Sequence, residues 1–303
     1  MFRLAHLSDI HLGPLPAMAW HQFLSKRLTG YINWHYGRAK AMGGNTLHAL
    51  TNDLAAQEAD HIVVSGDLTN LGLNAEVANA ARWLDTLGDA TTVSAVPGNH
   101  DAYRRGTLER ATKAWSPWMT GERVGDAPYP FLRRIGPVGL IGCSSAVAMP
   151  PFVAAGTFGQ DQAERLVALL TKARSESLFR VVVIHHPPLR GATGSRKRLY
   201  GIDRFRDALN KGGGVDLVLH GHTHLPTRAT LDTDHGSVPV IGVAAAGQAL
   251  GGHKPPARYN LFEIERGNDD WHVTQIERGL TQNEGVSEIA RHELAAPENA
   301  AAI

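Results

Sequence analysis

Thr92-Val93-Ser94-Ala95-Val96-Pro97-Gly98-Asn99-His100-Asp101 decides how this 303-residue chain is read. An apolar run breaks at Pro-Gly and is followed at once by side chains able to bind a metal. Four other fragments repeat the pattern: Leu4 to Leu7 before Asp9-Ile10-His11, Ile62-Val63-Val64 before Gly66-Asp67, Arg180 to Ile184 before His185-His186-Pro187, and Asp216 to Leu219 before Gly221-His222-Thr223-His224. If the runs are strands, every break falls at a strand end, where open α/β sheets place their sites.

Length and composition set the bounds. A chain of this size can bury a substantial core as one large α/β domain or two smaller ones. Its formal net charge of +1 gives no global field toward nucleic acid or a membrane, and no nucleic-acid domain is evident. The single cysteine, Cys143, excludes an intramolecular disulfide and a cysteine-rich zinc site. It favours a reducing compartment, so a cytoplasmic location is expected. The start reads as a strand rather than a signal peptide, and no apolar run approaches the roughly 20 residues that span a bilayer.

Outward from the central stretch, β and α signals alternate. Strands are expected at 3–8, 62–64, 92–96, 138–142, 180–184 and 216–219, and helices at 46–59, 75–87, 161–174 and 203–209. Residues 102–135 read as a helix plus a loop excursion. Past residue 225 only strands are expected, at 238–243, 259–264 and 271–277. The Ala- and Glu-rich stretch from 288 reads as a helix or a frayed tail. A helix-covered sheet packed on a second sheet, in four layers, fits this order. The expectation is one α/β (α+β) domain over 1–285 and a tail over 286–303. Residues 14–45 interrupt the alternation with a basic, aromatic insert in which Leu24, Leu28 and Ile32 recur every fourth position, as on a helix face. Its composition suits a lid, a dimer surface in a homo-oligomer or a peripheral membrane contact, and does not choose among them.

Chemistry enters through the ends of the runs. Side chains two apart on an extended segment point the same way, so Asp9 and His11 can chelate one ion, as can His222 and His224. A carboxylate such as Asp67 can bridge two cations. Aspartates, neutral imidazoles and an asparagine carbonyl make a mixed O/N set suited to Mn, Fe or Zn. Each fragment alone is weak evidence, because an isolated Asp-x-His or Gly-Asp is more often turn or capping chemistry. The ordered set of five is what points to metal.

Taken together, the fragments resemble the signature of the calcineurin-like metallophosphoesterases, in order over residues 3 to 224. The resemblance implies a four-layer αββα sandwich of two mixed sheets, two divalent metal ions and phosphoester hydrolysis. It also implies that Asp9, His11, Asp67 and His224 hold one ion and that Asp67, Asn99, His185 and His222 hold the other. The Gly-Asn-His-Asp and His-His-Pro-Pro forms most resemble bacterial cyclic-nucleotide and glycerophosphodiester phosphodiesterases. A water shared by both ions then serves as nucleophile, and His100 protonates the leaving alkoxide or steadies the transition state. The expected substrate is a small phosphodiester. The alternatives are a pyrophosphatase acting on a lipid-linked nucleotide of the UDP-diacylglucosamine type at a membrane, and a metal-holding scaffold without catalysis. Arg196, Lys197, Arg198 and Tyr200 are candidate substrate contacts on a basic loop. Asn70, His186 and His220 are expected to support neighbours or simply to pack.

Overall fold

Consecutive residues on three neighbouring strands point into two different cores. On β5 (Val138–Gly142), β7 (Phe179–Val183) and β9 (Leu217–His220), the side chains of Val138, Leu140, Val181, Val183, Leu217 and Leu219 join one buried cluster. Ile141, Val182 and Val218, one residue out of phase, join another. That two-residue period is the pleat of a sheet buried on both faces. The first cluster is shared with a second sheet, through Leu4, Val63, Val93 and Leu261. The other is shared with helices Gln160–Ser175 and Ile202–Lys211, through Leu166, Leu170, Phe205 and Leu209.

The computed structural model describes residues 1–38, 44–268, 270–282 and 285–294. Lys40 and Gly43 of the basic insert, and residues 295–303 of the expected tail, lie outside them. Two six-stranded mixed sheets flanked by helices form the architecture, as the fold class expected. In one sheet β14 (Gly285–Leu294), β13 (Trp271–Thr281), β12 (Arg258–Arg266), β1 (Phe2–Leu7), β2 (His61–Val64) and β3 (Val93–Ala95) lie side by side. In the other the order is β10 (Thr227–Thr233), β11 (Gly236–Gly242), β9, β7, β5 and β4 (Phe131–Ile135). β1, β2 and β3 run parallel, as do β5, β7, β9 and β11, so their C-terminal ends deliver loops to one edge of each sheet. A small parallel pair, β6 (Gly156–Thr157) with β8 (Leu199–Tyr200), joins two of those loops.

Besides the short pair β6 and β8, three strands of the large sheets differ from the sequence reading. β4 lies inside the expected loop excursion, and β10 falls just past residue 225 where no strand was expected before 238. The stretch from 288, expected as helix or tail, is a strand from Gly285 to Leu294 paired antiparallel with β13. Its Ala and Glu content favours a helix in isolation. No residue of it is fully buried, which suits an edge strand instead, and charged side chains such as Glu288 and Arg291 are typical of an exposed sheet edge.

The parallel sheet is pinned at the opposite end from the site. Arg180 and Asp216 are both buried, with Arg180 Nη2 donating to Asp216 Oδ1 at 2.8 Å and Nε donating to Oδ2 at 3.0 Å. Arg180 Nη1 also donates to the carbonyls of Gly213 and Gly214. Removing one partner leaves an uncompensated buried charge and three unsatisfied carbonyl or carboxylate acceptors. Arg180→Met is expected to lower stability by about 3 kcal/mol, read as a shift in the urea midpoint at unchanged slope.

Candidate metal centre

The loop leaving β1 does not stay extended. Asp9 and His11 both adopt left-handed backbone, as do Asp67, His222 and His224, with φ between 45° and 68°. Asp and His enter this region more readily than most residues, but each such residue still costs about 1–3 kcal/mol that its surroundings must offset. The offset is visible. The N–H groups of Asp9, His11 and Leu12 donate to the carbonyls of Gly66, Asp67 and Leu68 at 3.0, 2.9 and 3.0 Å, so the loops after β1 and β2 are zipped together beyond the sheet. Asp9 and His11 therefore meet through paired turns, not through the extended two-residue spacing read from the sequence.

All seven expected donors come to one place. His224 Nε2 lies 3.1 Å from Asp9 Oδ1 and 3.3 Å from His11 Nε2. Asp67 Oδ2 is 3.7 Å from His11 Nε2 and 3.4 Å from His185 Nε2. Asn99 Oδ1 is 3.2 Å from His185 Nε2 and 2.9 Å from His222 Nδ1. Donor atoms of Asp9, His11 and His224 lie within 4.8 Å of one another, as do those of Asp9, Asp67 and His185, and those of His11, Asp67 and His100. Asp67 thus belongs to two of these three groups, whose members come from loops of both sheets.

Three features fit this constellation to cations. First, backbone carbonyls set the tautomers. His11 Nδ1–H donates to Thr69 O at 3.0 Å, His185 Nδ1–H to Ser65 O at 2.8 Å and His222 Nε2–H to Lys197 O at 2.9 Å. The other ring nitrogen of each then points a lone pair inward, which is how ligand histidines are held. Second, the buried Asp9 Oδ1 has no backbone donor and only the His224 imidazole beside it, an arrangement that is costly unless a cation meets it. Third, burial alone would push the pKa of Asp9 and of Asp67 up, yet the facing histidines outweigh it and hold both below the usual carboxylate range. Burial likewise opposes protonation of His185, but the charges of Asp67 and Asp9 push it up to about 9. The site demands positive charge. His222, further from the carboxylates, is driven by burial and by His185 down to about 3 and stays neutral.

His100 donates from its backbone N–H to Asp67 Oδ1 at 2.7 Å, and its Nδ1–H donates to Asn70 O at 2.5 Å. Its ring meets His11 edge-on with centroids 4.8 Å apart. Beside it opens a cleft of about 240 Å³, with Lys26, Gly30 and Trp34 of the insert on one wall and Met149, Phe152 and Val153 on the other. The insert therefore lines the same cleft as Asn99 and His100. Of the four candidate substrate contacts, Lys197 lines this cleft; Arg196, Arg198 and Tyr200 are exposed and do not, and the Arg198 guanidinium stacks over the Tyr200 ring at 4.6 Å. Their loop is tied down by β8 and by N–H donation from Ala154 and Gly156 to the carbonyls of Arg196 and Arg198.

Sequence reasoning gave no role to Asp101, the last residue of the central motif. Its carboxylate accepts N–H bonds from Gly98 and Thr69 and the Thr69 hydroxyl, fastening the loop of Asn99 to that of Asp67. Burial, then the nearby Asp67 charge, pushes it up to about 7. Its position directly after His100 was the available signal. His186 supports rather than ligates, with Nδ1 against Ser145 Oγ at 2.7 Å and Nε2–H donating to Ala154 O at 3.1 Å. His220 is buried against Gly221 O and Thr227 Oγ1, and Asn70 supports His100 through its carbonyl.

Residues 2–226 match the family model described as calcineurin-like phosphoesterase. No curated protein matches the chain. Among solved structures, the chain is similar to a dimetal phosphatase from Danio rerio at 12% identity and a TM-score of 0.61, covering 96% of this chain and 98% of that one. It is also similar to the purple acid phosphatase PPD1 from yellow lupin, at 13% identity and a TM-score of 0.59, covering 96% of this chain and 53% of that one. A third likeness is the sulfate thiohydrolase SoxB from Thermus thermophilus, at 19% and 0.51, covering 90% and 56%. At such identities these likenesses establish the fold.

The close approach of Gly98 to Asp67 gives a test that alters no donor. A Cβ at Gly98 would land on Asp67 Oδ1. Gly98→Ala is expected to weaken Mn²⁺ binding by about 10–100-fold, the range seen when groups that orient ligands are disturbed, as measured by isothermal titration, with the circular dichroism spectrum unchanged.

Proposed function

The chain belongs to the calcineurin-like phosphoesterases, metal-dependent hydrolases of phosphoric esters that act through a dinuclear centre, and within that family we propose that it is a phosphodiesterase acting on a small diester in the cytoplasm. In this reading Asp9, His11, Asp67 and His224 hold one divalent ion, Asp67, Asn99, His185 and His222 hold the other, and Mn, Fe or Zn suits the O/N donor set. The observation that carries the reading is the convergence of all seven donors beside a histidine whose ring is fixed by Asn70 and whose backbone is bonded to Asp67.

Bound divalent cations would neutralise charge on the phosphoryl oxygens and acidify water for attack. The protein's own groups do the rest. Asn70 holds the His100 ring through Nδ1, so that Nε2 can deliver a proton to the departing alkoxide. Thr69, Ser65 and Lys197 carbonyls hold the ligand imidazoles aimed, with the second ring nitrogen of each facing the site. Among the described residues lining the cleft, the Lys and Arg side chains are Lys26 and Lys197. That modest charge suits a diester monoanion better than a monoester dianion, which favours an arginine clamp.

Two other readings share the centre. Hydrolysis of a pyrophosphate bond in a lipid-linked nucleotide draws support from the apolar wall of Met149, Phe152 and Val153, and differs in what the cleft holds rather than in the chemistry. A non-catalytic scaffold has less support, since no donor is lost and His100 is in place. With Mn²⁺ the protein is expected to cleave bis(p-nitrophenyl) phosphate faster than p-nitrophenyl phosphate. His100→Asn should lower kcat by about 10²–10⁴-fold, the usual share of general acid catalysis, while retaining two bound ions by metal analysis. Monoester preference would remove the diester assignment, and full turnover in His100→Asn would remove the role of His100.

A further inference from the structure

The insert turns its apolar side chains outward. Trp20, Leu24, Leu28, Ile32 and Tyr36, each four residues from the next, are 77%, 78%, 42%, 45% and 87% exposed. Leu28 and Ile32 sit one turn apart on helix Arg27–Asn33, and the other three flank it on both sides. Across the cleft Phe152 is 74% exposed. The opposite face of the same helix is fully engaged. A Cβ at Gly30 would collide with Tyr103 and Leu71, and Arg27 donates to the carbonyls of Leu71 and Gly72 at 3.1 and 2.7 Å. Lys26 Nζ reaches over the cleft to Met149 O at 2.8 Å and over the Tyr103 ring at 4.2 Å. The segment is thus anchored by its polar side while large apolar side chains point to solvent.

Charge says what covers them. From His11 to Asn52 the sequence carries four lysines and arginines, of which Arg27 is buried, and no aspartate or glutamate. Burial disfavours the Arg27 charge most, and the exposed Arg104 and Arg110 lie close enough to add to that, against the opposing carboxylate of buried Glu76. Lys197 adds a cation on the cleft. Exposed tryptophan, tyrosine and leucine beside excess cations fit the headgroup region of an anionic bilayer, where aromatic rings sit at the interface and lysines or arginines face lipid phosphates.

We propose that residues 14–38, together with Phe152, dock on the surface of an anionic membrane, and that the cleft between them takes a phosphoester whose alcohol is amphiphilic. This rests on the phosphodiesterase reading of the centre and names its substrate class: the phosphodiester lies at Asn99 and His100, and the apolar portion runs along Met149, Phe152 and Val153 toward the lipid.

Vesicle co-sedimentation tests docking without using catalysis. The full chain is expected to pellet with phosphatidylglycerol-containing vesicles, to remain in solution with pure phosphatidylcholine, and to be released by high salt. The triple variant Trp20→Ser, Leu24→Ser, Tyr36→Ser removes exposed side chains only. It should lose about tenfold or more in vesicle partitioning, given what burial of each such side chain contributes, while keeping its thermal midpoint and its rate on bis(p-nitrophenyl) phosphate. That rate, measured on the same preparation, reports the phosphodiesterase reading separately. Failure of the wild type to pellet with anionic vesicles overturns the docking proposal, as does equal pelleting of the variant. A concentration-dependent dimer by light scattering that the variant abolishes, without vesicle binding, would assign the face to a second copy and overturns it too.

Discussion

Two aspartates, Asp9 and Asp67, are held almost entirely out of water within a few ångströms of four imidazoles, and the rest of the molecule is arranged around that fact. A buried carboxylate is costly unless it is paired and hydrogen-bonded. Here each has one oxygen fastened by the backbone: His222 N–H donates to Asp9 Oδ2 at 2.9 Å and His100 N–H donates to Asp67 Oδ1 at 2.7 Å. The remaining oxygens face the interior of the site. Those two N–H bonds also cross between loops, so the same contacts that make the charges tolerable lock His222 to Asp9 and the Asn99 loop to Asp67.

The strained backbone follows from the same requirement. Loops leaving parallel strands must turn sharply if several side chains are to meet above the sheet edges, and five donors do so in left-handed conformation. Glycines take the places where even a methyl group is too large: at Gly221 an added Cβ would run into Ser8 and Asp9, and at Gly66 it would approach Gly98 N and His185 Nδ1 within 2.7 Å. Strain and close packing are here two consequences of one geometry. They also explain why a site built from loops can be rigid: the loops of β1 and β2 are hydrogen-bonded to each other as strands are.

Much of this was legible in the order of residues, for a definite reason. Parallel strands buried on both faces leave unbroken apolar runs, and the break after each run marks the edge where a site can form, so the gathering of Asp9, Asp67, Asn99, His185 and His222 at the sheet edges could be read from their positions. What could not be found are features that depend on partners distant in the chain. β14 is a strand because β13 offers it an edge, against its own Ala and Glu content. The alignment of His222 depends on the carbonyl of Lys197, a residue whose side chain drew attention for its charge. Asp101 acts through backbone N–H groups of Gly98 and Thr69, and backbone donors carry no sequence signal.

The insert shows how one spacing can carry two meanings. Leu24, Leu28 and Ile32 at intervals of four describe a helix face, and in a soluble domain such a face ordinarily packs inward. Here the inward face is occupied by the residues between them: Lys26 and Arg27 give their cations to backbone carbonyls, and Gly30 has no side chain, so the helix can lie close against Leu71 and Tyr103. A helix that packs through its glycine and its cations has its leucines left over. Periodicity reports that a stripe exists and leaves open which side of the helix the fold consumes; that choice is made by Gly30 and Arg27, and it is the choice that sends the apolar stripe to the outside of the molecule, at the rim of the metal site.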